Sequence, residues 1–178
     1  MNTYEHVSHT FDPVFDKNAK ILILGTFPSV KSREQHFYYG HPQNRFWKLL
    51  ALLLKDSCPL TIAEKKDFLL RHNIAVWDVI ESCDIIGSSD SSIKNVVPAD
   101  INSILQQTDI RAIFANGTKA YDLYQKYTFK QTQFPIIKLP STSPANAAWT
   151  LEKLIDAWQN PLHSIRASAA ETVLLETH

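Results

Sequence analysis

Four short apolar runs constrain this chain more than any other feature: Lys20–Gly25, Ile74–Ile80, Ile110–Ala115 and Pro135–Leu139. Each is continuous rather than alternating, as strands buried on both faces are, and such strands belong to parallel sheets covered by helices. The segments between them carry helical spacing. Phe46, Trp47, Leu49, Leu50, Leu53 and Leu54 recur with that period, and Thr61-Ile62-Ala63-Glu64 is a capping box opening a second helix to about His72. Pro98 suits a first helical turn ahead of Ile101, Ile104 and Leu105. Ala120, Tyr121 and Tyr124 form another apolar face, and Leu151, Leu154, Ile155 and Trp158 a last one. The pattern predicts an α/β fold, a three-layer α/β/α sandwich around a central, mainly parallel four-stranded sheet with right-handed crossovers. Residues 1–18 read as an irregular arm, Gly87–Asn95 as a polar loop, and the tail 161–178 as a loose helix or a disordered segment. No repeat or linker divides the 178 residues, so a single domain over 1–178 is expected, with its firm core at about 10–160.

Composition narrows the function classes. Eighteen basic residues balance eighteen acidic ones, so bulk charge argues neither for nor against a polyanionic partner. Cys58 and Cys83 lack metal-like spacing and read as free thiols in a reducing compartment. The first residues carry no signal-peptide apolar run, and the longest apolar stretch, Leu49–Leu54, is too short to span a bilayer. A soluble cytoplasmic protein without membrane contact is expected. The histidines show no metal-ligand spacing, so no metal is expected; phosphate-loop, dinucleotide and nucleophile-elbow motifs are also missing from the sequence.

In an open α/β sheet, ligands bind beyond the carboxyl ends of the strands. Those ends carry Gly25–Asn44, Asp78–Asn95, Asn116-Gly117 and Ser141–Asn146. The first loop spends aromatics, histidines and an asparagine where a plain connection would spend Gly, Ser or Asp, and it reads as the active-site loop. Ser141-Thr142-Ser143-Pro144 offers hydroxyls and backbone N–H groups suited to a phosphate, or to capping the final helix. Phe37 and Tyr38 fit either core or site, whereas Phe46 and Trp47 lie on an apolar face and read as core. Arg45 fits a phosphate contact or a solvated helix start, His41 a loop-orienting role, and Asn116 a turn or a ligand contact. A metal-free site rich in aromatic, hydroxyl and amide groups can stack a planar ring, read its edge and grip a phosphate, the tasks of handling a nucleobase within a strand.

Gly25-Thr26-Phe27-Pro28-Ser29 after a strand, an aromatic a dozen residues on, and then His41-Pro42-Gln43-Asn44-Arg45-Phe46-Trp47 resemble the uracil-DNA glycosylase superfamily. Leu139-Pro140-Ser141-Thr142-Ser143-Pro144-Ala145-Asn146 resembles its second motif in the form used by the hypoxanthine-DNA (deoxyinosine) glycosylase branch. Phe27 stands where uracil-removing relatives keep an Asp or Asn, and the resemblance to the hypoxanthine branch moves the catalytic asparagine to Asn44. It implies a cofactor-free, monofunctional and monomeric enzyme that acts on DNA. Gly25, Thr26, Phe27, Tyr39, Asp78 and Asn116 would bind the base, Tyr39 by stacking and Asp78 by accepting the N1–H of hypoxanthine. Ser29, Ser141, Ser143, Pro144, Ala145 and Asn146 would grip phosphate or wedge the stack. Two alternatives fit the same residues: a uracil- or xanthine-DNA glycosylase, and a DNA-binding relative without catalysis.

Overall fold

A computed structural model describes the backbone of residues 3–176 and the side chains through Ser164. The four expected strands are β2 (Ile21–Gly25), β3 (Ile74–Asp78), β6 (Ala112–Asn116) and β7 (Ile136–Leu139). They form a parallel sheet in the order β3-β2-β6-β7, with β2 at its centre beside both β3 and β6.

Side chains alternate across this sheet into two cores. Ile21 and Ile23 of β2 join Ile74, Val76, Ala112 and Phe114 on one face. They meet α2 (Phe46–Leu54), α3 (Ile62–Arg71) and α7 (Leu151–Glu176) through Leu49, Leu50, Phe68, Leu154 and Trp158. Leu22 and Leu24 point the other way with Ala75, Ile113 and Ala115. There they meet α4 (Ile101–Gln107), α5 (Thr118–Leu123) and α6 (Phe129–Thr132) through Ile101, Ile104, Ala120, Leu123 and Phe129. Both faces of β2, β3 and β6 are therefore largely dry, which is why these runs are continuous in the sequence, while edge strand β7 leaves Ile137 and Lys138 exposed.

The capping box is formed: the Thr61 side chain accepts from the Glu64 N–H, and the Glu64 carboxylate accepts from the Thr61 N–H. Two expectations differ from the structure. The arm 1–18 is not wholly irregular, because β1 (Glu5–Ser8) pairs antiparallel with β4 (Ile80–Ile85), which in turn pairs with β5 (Lys94–Pro98). This second sheet covers part of the Leu22 face through Val7, Ile80, Cys83 and Ile85. Pro98 closes β5 instead of opening a helix, and Asp100 caps α4 by accepting from the Ser103 N–H. Of the two readings of the tail the helical one holds over the described residues, since α7 runs through Pro161 to Glu176. Among the described residues no helix is long and apolar enough to cross a membrane.

Trp158 has no exposed surface and donates its indole N–H to the Pro140 carbonyl at 2.9 Å, tying α7 to the loop that follows β7. Trp158→Ala is expected to lower the unfolding free energy by about 3–5 kcal/mol in urea titration, from lost burial and the cavity left behind.

Candidate active site

The carboxyl ends of β2, β3, β6 and β7 open onto one cavity of about 600 Å³. Gly25–Ser29, Tyr39, Asn44, Asp78, Asn116, Ser141 and Ser143–Ala145 line it, so the two motifs meet across a single space. Of the expected site residues only Asn146 lies outside, in an adjoining cleft of about 480 Å³ that also has Lys119 and Lys138 on its wall.

The floor is polar. Asp78 ends β3 directly opposite Gly25 of β2. A methyl group added at Gly25 would stand 2.5 Å from Asp78 Oδ1 and 3.0 Å from Tyr39 Oη, so glycine alone lets those two oxygens converge there. The Tyr39 hydroxyl is buried and makes no hydrogen bond within the protein. Burial first, and the Asp78 carboxylate second, push its phenol far above the ordinary range while the nearby Asn116 amide works against them, so it remains a neutral donor. Tyr39 adopts a positive φ of 52°, a conformation that costs a bulky residue about 1–3 kcal/mol, and its ring stacks on Phe46 at 3.9 Å.

One wall is set by a hydrogen-bond relay. The Thr142 N–H donates to Asn116 Oδ1 at 3.0 Å, which orients the Asn116 amide so that its nitrogen donates to Thr142 Oγ1, also at 3.0 Å. The Thr142 hydroxyl must then spend its hydrogen on Asn44 Oδ1, at 2.9 Å. Asn44 Oδ1 also accepts the Phe46 N–H at 2.9 Å. Its oxygen doubly held, Asn44 keeps its amide N–H groups for the cavity. Thr142 is wholly buried and was not among the sequence candidates, because nothing in Ser-Thr-Ser tells which hydroxyl turns inward.

Arg45 holds the same segment. Its guanidinium donates to the carbonyls of Thr142, Ser143, Asn146 and Trp149, and its backbone N–H donates to Thr142 O. Its guanidinium is thus committed to loop carbonyls rather than left solvated at a helix start. Ser141 and Ser143 accept backbone N–H groups from Ser143 and Ala145, which leaves both hydroxyl hydrogens free to donate outward. Ser29 differs: its hydroxyl caps α1 (Val30–Gln35) and bonds Ser32, so its capacity is spent inside the loop. Asn116 likewise commits its oxygen and one amide hydrogen to Thr142.

Phe37 and Tyr38 belong to the core; the Tyr38 hydroxyl donates to the Asp12 carbonyl at 2.9 Å. His41 accepts the Gln43 N–H and so shapes the turn before Asn44. Asp90, on a single 3-10 turn over Asp90–Ser92, stands at the lip shared by both clefts and had no place in the sequence reading. Its surface is open to solvent. Even so, the concave walls strip enough water to push its carboxyl from 3.8 to about 6, with Lys119 opposing and Asp78 adding.

The chain is similar to known proteins in both sequence and fold. A family model described as the uracil DNA glycosylase superfamily matches residues 13–161. A hypoxanthine DNA glycosylase of Methanosarcina barkeri is 36% identical over 115 residues, covering 62% of this chain and 71% of that protein. A hypoxanthine DNA glycosylase of Methanosarcina acetivorans is 35% identical over 144 residues, covering 79% and 89%. The solution NMR structure of a uracil DNA glycosylase candidate from Methanosarcina acetivorans superposes with a TM-score of 0.75 at 29% identity, covering 88% of this chain and 96% of that one.

The Asp90 carboxyl binds its proton more tightly in the fold than in the unfolded chain, so its contribution to stability is lost as pH rises from 3.8 towards about 6. Asp90→Asn is expected to raise the melting temperature at pH 7.5 and to leave it nearly unchanged at about pH 3, as scanning calorimetry at the two values would register.

Proposed function

The chain belongs to the uracil DNA glycosylase superfamily, and on that premise we propose that it hydrolyses the N-glycosidic bond of deoxyinosine in DNA, releasing hypoxanthine and leaving an abasic site. The observation that carries this reading is the meeting of both motifs on one cavity, where an amide, a carboxylate and a phenol face the same space.

Flipping the nucleotide into the cavity costs roughly a few kcal/mol of unstacking. The hydroxyl hydrogens of Ser141 and Ser143 would meet the flanking phosphates, and Lys119 and Lys138 would supply positive charge along the adjoining cleft. Pro144 and Ala145, at the cavity edge, would enter the gap left in the stack. Phe27 presents aromatic surface to the base, worth ~1–3 kcal/mol and indifferent to its identity, whereas the Tyr39 ring is already stacked on Phe46 and offers its hydroxyl.

Identity would be read at the floor. Hypoxanthine carries an N1–H beside a carbonyl, whereas adenine carries a bare ring nitrogen beside an amino group. Asp78 Oδ1 would accept that N1–H, and the neutral Tyr39 hydroxyl would donate to O6. The two act at different moments. Negative charge grows on the departing purine, so the Tyr39 donor gains strength in the transition state while a carboxylate does not; Asp78 therefore selects the base and Tyr39 helps it leave.

A water accepting a hydrogen bond from the Asn44 amide would keep a second lone pair for the anomeric carbon as the C1′–N9 bond breaks. Asn44 has no basicity to offer, and an oxocarbenium-like centre requires none; its contribution is position. Phe27 leaves no acid or amide in the first motif to share that task.

Purified protein is expected to convert a duplex carrying deoxyinosine to an alkali-labile abasic product faster than matched duplexes carrying deoxyuridine or deoxyxanthosine. Asn44→Ala should lower the single-turnover rate by about 10²–10³-fold and leave duplex affinity intact. A faster uracil or xanthine reaction would reassign the substrate. Binding without product in the wild type would make the chain a binding protein, and an Asn44→Ala variant as fast as wild type would remove Asn44 from the chemistry.

A further inference from the structure

His9 lies one residue past β1 and sends its ring beneath the floor of the cavity. Its side chain and that of Asp78 are each only 5% exposed, and Nε2 stands 2.8 Å from Asp78 Oδ2. Aromatic rings surround it: Phe11 at 4.4 Å, Tyr38 at 5.8 Å and the edge of Phe27 at 6.1 Å. The His9 backbone N–H donates to the Glu81 carbonyl at 2.7 Å, anchoring the arm.

The other ring nitrogen, Nδ1, is buried and has no hydrogen-bond partner. A phenylalanine would fill this aromatic nest without burying an unmatched polar atom, which ordinarily costs stability. The imidazole makes one side-chain hydrogen bond here, and that bond goes to Asp78. It occupies Oδ2 and leaves Oδ1 as the oxygen against Gly25 and the Tyr39 hydroxyl. Asp78 thus has one oxygen fastened from below and one presented to the cavity.

We propose that His9 is a positioning residue that acts through Asp78, holding the carboxylate in the orientation that recognises the N–H of a lactam base, such as hypoxanthine, and rejects the bare ring nitrogen of adenine. This rests on the deoxyinosine reading above. Without the His9 donor, the carboxylate can turn about its own bonds and Oδ1 no longer sits squarely over the base edge. Such a role separates from packing, because it depends on a donor atom rather than on volume and disappears when Asp78 no longer reads the base.

The test uses the full chain with His9→Phe, which keeps a ring but no donor, and His9→Gln, whose amide N–H reaches a similar place. Each is made in the wild-type and Asp78→Asn backgrounds. Single-turnover excision of deoxyinosine is measured with melting temperature, and with affinity for duplexes carrying non-cleavable 2′-fluorodeoxyinosine or deoxyadenosine. His9→Phe should slow excision roughly 10- to 100-fold and shrink the preference for the inosine duplex. His9→Gln should recover to within about threefold of wild type, and His9→Phe should cost under about threefold once Asp78 is Asn. His9→Leu, which also lacks a donor, replaces His9→Phe if the latter does not fold. The proposal is overturned if the donor-less variant stays within twofold of wild type, if His9→Gln is equally impaired, or if the loss is undiminished beside Asp78→Asn. A wild type that neither cuts nor prefers the inosine duplex overturns the deoxyinosine reading and this role with it; an active wild type indifferent to His9 removes the role alone.

Discussion

Asn44 and Arg45 at the start of α2 hold one segment, residues 142–149, Asn44 by accepting the Thr142 hydroxyl and Arg45 by donating to backbone carbonyls, and the rest of the site depends on that crossing. The two motifs lie about a hundred residues apart in sequence, with a sequence separation of 98 between Asn44 and Thr142. Without the Arg45 donors, four carbonyls of an irregular loop would seek partners in water, and the serines would lose their fixed aim. The relay through Thr142 then transmits the position of β6, by way of Asn116, to the Asn44 amide. Its polarity is forced at each step, because it begins with a backbone N–H that can only donate.

The same economy explains how a chain with Phe27 in its first motif can retain a working arrangement. The first loop gives up an acid or amide beside the sugar, and its aromatic ring lines the cavity instead. Its backbone still performs the part that needs closeness: Gly25 leaves room where Asp78 and Tyr39 converge, and the Gly25 and Thr26 carbonyls accept N–H groups from Val79 and Ile80. On the proposed reading, selection would fall to Asp78 at the end of β3 and water placement to Asn44 just ahead of α2. Strain is concentrated between them, at Tyr39.

The parallel sheet was legible because burial on both faces leaves an unmistakable continuous run, and the helices because Leu49, Leu154 and Trp158 keep their period. The antiparallel sheet was not. β1 is four residues long and mostly exposed, and β5 carries a lysine, an asparagine and a proline, so neither alternates clearly enough to be seen. Within the site, residue types announced the cavity, but partners did not announce themselves. Arg45 looks like a phosphate ligand until its carbonyl partners are known. Thr142 is one hydroxyl among three. His9 and Asp78 are separated by 69 positions, with only the fold to join them.

The central claim is that the Asn44 amide works because Thr142 orients it. Thr142→Val keeps the buried volume and removes the hydroxyl, so single-turnover excision of deoxyinosine by this variant, alone and with Asn44→Ala, is the most direct measurement. The account predicts a loss of roughly 10-fold or more for Thr142→Val and almost no additional loss beside Asn44→Ala. A Thr142→Val protein as fast as wild type, or one whose loss adds in full to that of Asn44→Ala, would contradict it.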